Sequence, residues 1–140
     1  MARFSAAVVM AAVMIAGQAA AADSPEQIAR GRYLVENVGM CNDCHTPRGS
    51  RGEPDRTRSL AGAPIDFRPT VPVRVWVSSA PAIAGPKALG WSREQMVAFL
   101  STGTTPDGRG SLPPMPMLRL NQDDAEAVAA YLASVPLPPR

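Results

Sequence analysis

The sequence predicts an all-α fold of about three main helices joined by long Pro- and Gly-rich loops. Three observations predict it. Three helix starts are recognisable, two by their caps and one by its acidic first turn, no segment alternates convincingly as a strand would, and 15 Pro and 11 Gly punctuate a chain of 140 residues. That length, with a net charge of +2, suits one ordinary domain. Only one of the 14 basic residues is a Lys, Lys87, and the Arg are scattered, so a nucleic-acid partner is excluded.

The first segment is set apart from the fold. Arg3 precedes an apolar run, Ala6 to Gly17, and small residues follow from Ala19 to Ala22. A positive start, a short apolar stretch and an A-x-A cleavage site describe a secretory leader, expected over 1–22 and removed after Ala22. The run is too short for the ~20 residues that span a bilayer. The expected mature chain is a single domain over 23–140, exported to the periplasm, without a membrane anchor.

The first helix opens at Ser24-Pro25-Glu26-Gln27, with Ser as N-cap, Pro at the first helical position and Gln three residues after the cap. Ile28, Leu34, Val35 and Val38 form its apolar stripe, and Gly39 stops it. The second opens at Ser92-Arg93-Glu94-Gln95, where Trp91 and Met96 can close a hydrophobic staple. It carries Val97, Phe99 and Leu100 and stops by Gly103. The third begins near Asn121, with Asp123, Asp124 and Glu126 at the positive end of the helix dipole. Val128, Tyr131 and Leu132 mark its buried face and Pro136 ends it. Val71 to Val77 is the nearest thing to a strand, and Pro72 weakens it.

About 46 residues, Thr46 to Trp91, separate the first two helices, with Pro at 47, 54, 64, 69, 72 and 81, then Pro86. So long a structureless stretch is unusual in a small domain. The mature chain has only six aromatic residues: Tyr33, Phe67, Trp76, Trp91, Phe99 and Tyr131. Both features are relieved if the loops wrap a large apolar cofactor.

Cys41-Asn42-Asp43-Cys44-His45 names that cofactor. C-x-x-C-H is the attachment signature of c-type haem. Two thiols three residues apart reach the two vinyl groups on one porphyrin edge, and the adjacent imidazole is delivered to the iron. A structural zinc site wants four ligands, and two Cys with one His fall short. A thioredoxin-like pair normally opens a helix in a β-α-β setting, whereas this motif follows a helix end. The expectation is one covalent haem c on Cys41 and Cys44, with His45 as the proximal iron ligand.

The sixth iron position has no second His to fill it. Met40, Met96, Met115, Met117 and Lys87 remain. Met40 adjoins the attachment side, and Met96 is accounted for by the staple. Met115 and Met117 lie in Leu112-Pro113-Pro114-Met115-Pro116-Met117, a strap that proline holds extended. Spacing does not choose between the two.

Gly31-Arg32-Tyr33-Leu34 leading into Cys41 to Pro47, then Leu60 to Pro64, Gly90-Trp91-Ser92, Gly103, Asp107-Gly108, Pro113 to Pro116 and Ala130 to Pro136 resemble the monohaem class I cytochromes c. The likeness is greatest to the cytochrome subunits of periplasmic dehydrogenases, and it covers nearly all of 23–140. The resemblance implies terminal helices crossing closely over the haem, with Gly31 permitting the approach and Tyr131 or Leu132 filling it. It implies Met115 as distal ligand, with Met117 the fallback. It implies an electron carrier rather than an enzyme, cycling between ferrous and ferric states and serving redox protein partners such as a periplasmic dehydrogenase or terminal oxidase. Trp76 to Leu89 departs from the dehydrogenase subgroup, which usually carries Asn-Ile-Thr ahead of Gly-Trp-Ser. Two other readings stand beside the carrier. One is a haem-based catalyst or gas sensor with an open sixth position; the other is a haem-free thiol-disulfide oxidoreductase. An orienting carbonyl for His45 is expected from Pro54 or a nearby loop, and propionate donors from Trp76, Trp91 or an Arg in 48–74.

Overall fold

Side-chain caps start each of the expected helices where the sequence places them. A computed structural model describes residues 22–137, so the expected leader lies outside the described residues except for Ala22. Helix α1 runs Pro25–Tyr33, its Ser24 cap accepting from the Gln27 N–H at 3.1 Å. Helix α2 is the short Cys41–His45. Strands β1 (Ala63–Pro64) and β2 (Ser79–Ala80) make one small antiparallel pair, with Ala63 opposite Ala80. Helix α3 spans Arg93–Thr102 behind a full Ser92/Gln95 capping box. Helix α4 spans Gln122–Ser134, its Asn121 cap accepting from the Asp124 N–H at 2.8 Å. Val71 to Val77 contains no strand. Trp91 lies edge-on to Phe99, with ring centroids 5.2 Å apart.

The core lies where α1, α3 and α4 meet. Leu34 and Val35 from the end of the first helix pack with Val97 and Leu100 of α3 and with Val128 and Leu132 of α4. Helix α4 can approach closely because its buried face is mostly Ala: Ala125, Ala127, Ala129 and Ala130 are all buried. The closest approach is at Gly31. A Cβ there would stand 1.9 Å from the Ala127 carbonyl oxygen and 2.8 Å from the Tyr131 Cβ, so only Gly fits. The sequence expected Tyr131 or Leu132 opposite Gly31, and the Ala127 backbone is nearer still.

Polar contacts trim the same crossing. Tyr131 donates to Glu36 Oε1 at 2.7 Å, and Arg32 holds the same carboxylate at 3.1 Å. Arg30 pairs with Asp124 at 2.9 Å. Arg93 reaches both Asp23 at 2.8 Å and Glu126 at 3.0 Å, tying the start of α3 to the N-terminal segment and to α4. Such partly exposed pairs contribute little singly; they orient helices that apolar packing has already brought together.

Two outcomes follow for this crossing. Gly31→Ala should cost about 3 kcal/mol, at the upper end of overpacking penalties, in denaturant unfolding of the holoprotein; an unchanged midpoint would contradict the crossing. Burial and the Glu36 carboxylate push the Tyr131 hydroxyl up to about 12. The folded chain therefore keeps a proton that the unfolded chain releases near pH 10, so stability falls as pH rises from 10 through about 12. Tyr131→Phe should flatten that slope in unfolding measured across this range.

Candidate functional site

The first helix ends in a way that aims the next one. Leu34–Val38 continue it as a π-turn, closed by Gly39 N–H donating to the Leu34 carbonyl at 2.7 Å. The helix stops at Gly39 as the sequence predicts, but Gly39 stays right-handed and the left-handed residue is Met40, at φ 48°. A non-Gly residue held there costs roughly 1–3 kcal/mol, a strain that persists where surrounding structure fixes it. The reversal starts α2 at Cys41, and one helical turn puts Cys41 and Cys44 on the same face.

His45 closes α2 and is buried at 6% exposure. Its Nδ1 lies 2.8 Å from the Pro81 carbonyl oxygen. A carbonyl only accepts, so Nδ1 carries the proton and Nε2 keeps its lone pair. Burial pushes the His45 pKa down, which favours that neutral form. The orienting carbonyl was expected from Pro54 or nearby; it comes from Pro81, beside β2, while Pro54 bridges to Arg48. Every residue has a carbonyl, so nothing in the sequence could single out Pro81.

Thr46 was also missed. At 2% exposure its hydroxyl accepts from the Leu60 N–H at 2.9 Å and donates to Asn42 Oδ1 at 2.8 Å. Ser59 donates to the same Asn42 oxygen at 2.9 Å, and Gly62 N–H donates to the His45 carbonyl at 2.7 Å. Leu60, fully buried at φ 58°, is thereby tied to the residue that follows His45.

Cys41, Cys44, His45 and Met115 all line one cavity of 340 Å³. Most of the remaining lining is apolar, including Ile65, Ile83, Leu100, Val128 and Leu132. Of the other candidate distal ligands, Met40 and Met96 also line the cavity, whereas Met117 and Lys87 do not. Met117 is 53% exposed and packs against Gly103. The strap bearing Met115 is anchored on both sides: Ser111 N–H donates to Gly103 at 3.1 Å and Leu120 N–H to Leu100 at 3.1 Å. Between them, Val77 N–H reaches the Pro113 carbonyl at 2.9 Å. Thr105 and Arg109, which the sequence reading did not assign to the site, also line the cavity, and Asp107 Oδ2 accepts from Arg109 Nε at 2.8 Å.

The donors fit a haem better than they fit other chemistry. Cys41 and Cys44 are free thiols, and burial pushes the Cys41 thiol up, away from the reactive thiolate a dithiol catalyst needs. No group of three His, Cys, Asp or Glu side chains that could hold a metal ion occurs among the described residues. Of the indoles expected as propionate donors, Trp91 lines the cavity, whereas Trp76, whose Nε1 is buried without a hydrogen-bond partner, lies outside its lining.

Comparison with known proteins agrees. A diheme c-type cytochrome of Cereibacter sphaeroides is 39% identical over 119 residues, 81% of this chain and 36% of the relative. The cytochrome c subunit of a quinone alcohol dehydrogenase from Gluconacetobacter polyoxogenes is 34% identical, covering 81% of this chain and 25% of the relative. The cytochrome c subunit of gluconate 2-dehydrogenase from Pantoea cypripedii is 33% identical, covering 84% and 28%. The chain thus spans about a third or less of the length of these curated relatives. Residues 28–136 match the Cytochrome c family, whose members carry covalent haem c, and with that match the chain belongs to the cytochrome c family.

Proposed function

We propose that this chain is a periplasmic electron carrier holding one covalent haem with His45 and Met115 as axial ligands. The observation that carries the reading is the convergence of Cys41, Cys44, His45 and Met115 on one apolar cavity, with His45 Nε2 left free by the Nδ1–Pro81 bond. When bound, the haem supplies a one-electron ferric/ferrous couple.

The chain's own residues supply the rest. Cys41 and Cys44 would hold the porphyrin edge through thioethers, and the Pro81 carbonyl fixes the His45 ring and raises its basicity. The proline-rich strap presents the Met115 thioether without needing a helix behind it. The apolar lining would keep water from the iron, and the Met115 thioether together with the His45 imidazole would raise its reduction potential. A single C-x-x-C-H supports one haem, although one relative is named for two.

The periplasmic assignment rests on the leader read over 1–22, and 23–140 would be the mature domain. No helix among the described residues is long and apolar enough to cross a membrane. The relatives named as cytochrome subunits of alcohol, fructose and gluconate dehydrogenases support a dehydrogenase as electron donor.

Met115→Ala should convert the iron from low to high spin and open it to carbon monoxide, while Met117→Ala should leave a low-spin spectrum. Absorption spectra of the two variants, with and without carbon monoxide, check this. High spin only in Met117→Ala would move the distal ligand to Met117, and carbon monoxide binding by the wild type would favour a catalyst or sensor.

A further inference from the structure

Residues 63–80 form a hairpin that leaves the cavity wall and returns to it. Its base is the β1–β2 pair, extended by Ile65 N–H donating to Ser78 at 2.9 Å. Phe67 and Trp76 continue the register, with ring centroids 5.7 Å apart. Residues 66–76 make no hydrogen bond to any described residue. Four large apolar side chains stand exposed along this short length: Phe67 at 49%, Val71 at 64%, Val73 at 46% and Val75 at 44%. Concentrated apolar exposure of this kind marks an interaction site more often than chance scatter does.

Charge narrows the partner. Arg68 and Arg74 lie within the same stretch, both exposed, and neither pairs with a described residue; Asp66 is the only acid there. Two guanidinium groups are too few to hold a nucleic acid or an anionic membrane. They suit carboxylates at the rim of a protein interface, where Arg gives bidentate pairing. A second copy of this chain would set one net-basic face against another, so symmetric self-association is opposed. The valines are stiff at χ1, and Pro72 restricts the backbone of Val71 before it, which lessens the entropy lost on docking.

Position makes the partner a redox protein. Ile65, Val77 and Ser79, at the base of the hairpin, line the cavity that holds Cys41 and His45. The hairpin therefore runs directly from the wall of the cofactor site to the exposed stretch. Val77 also donates to Pro113, two residues before Met115.

We propose that the 66–76 hairpin is the docking surface for a protein redox partner with an apolar centre rimmed by carboxylates. This rests on the electron-carrier reading. The interface would be of the small, transient kind that electron-transfer encounters use.

The test is stopped-flow reduction of the ferric holoprotein by the periplasmic fraction of the cells that make it, cleared of the chain itself, at rising ionic strength. Ascorbate serves as the small-molecule control. Wild-type reduction by the fraction should slow with salt; Arg68→Glu/Arg74→Glu should slow it about tenfold at low salt and reverse the salt dependence. Val71→Ser/Val73→Ser should slow it at every salt concentration. Arg51→Glu, on an exposed turn elsewhere, should behave as wild type, and ascorbate should reduce all forms equally. Equal rates for wild type and the hairpin variants would overturn the proposal. So would a wild-type dimer in sedimentation that the valine variants dissociate, since the occupant would then be a second copy. A wild type reduced by ascorbate but not by the fraction would instead refute the carrier reading on which the surface rests.

Discussion

The hydrogen bond between His45 Nδ1 and the Pro81 carbonyl is the constraint on which the site depends. It joins the short helix bearing both thiols to a loop 36 residues away and leaves Nε2 as the ligand. Without it the imidazole could adopt either tautomer, and the segment after β2 would lose its tie to the attachment helix. The His45 side of the bond is buried, so losing the carbonyl would leave that ring nitrogen unsatisfied at a cost of about 1–3 kcal/mol. The Thr46–Leu60 bond works beside it, tying the end of the same short helix to the loop at Leu60.

Two frames of different rigidity meet at this bond. Helices α1 and α4 cross at the distance that Gly31 and the Ala face of α4 allow, and α3 packs beside them. They make a firm wall whose inner side chains, Leu100, Val128 and Leu132, also line the cavity. The other wall is made of loops and straps with little regular structure. It draws its order from a few long-range backbone bonds: Gly62 to His45, Val77 to Pro113 and Ile83 to Leu60. A core with so few aromatic residues is thin for its length, and a planar apolar cofactor gives both walls a common surface to bury.

Local signals were legible in the sequence and tertiary ones were not. Ser24, Ser92 and Asn121 announced their helices because a cap is satisfied within three residues. C-x-x-C-H announced the cofactor because its ligands are contiguous. The helix stops at Gly39 as read, but that the left-handed residue is Met40 depends on how α2 must point, which no local signal carries. Spacing left Met115 and Met117 equivalent; what separates them is that Met117 packs on Gly103 while Met115 lines the cavity, a contact between distant segments. Pro81 had no signal at all, because the group that matters is a backbone carbonyl. The hairpin's alternation was blurred by Pro69 and Pro72, and its exposure is a tertiary fact.

The most direct test of the account is the mass and visible spectrum of the chain expressed with its leader in a host that matures c-type cytochromes. The account predicts a cleaved chain carrying one haem that survives acid-acetone extraction, with a low-spin spectrum in both oxidation states. A haem-free chain with a Cys41–Cys44 disulfide would contradict it.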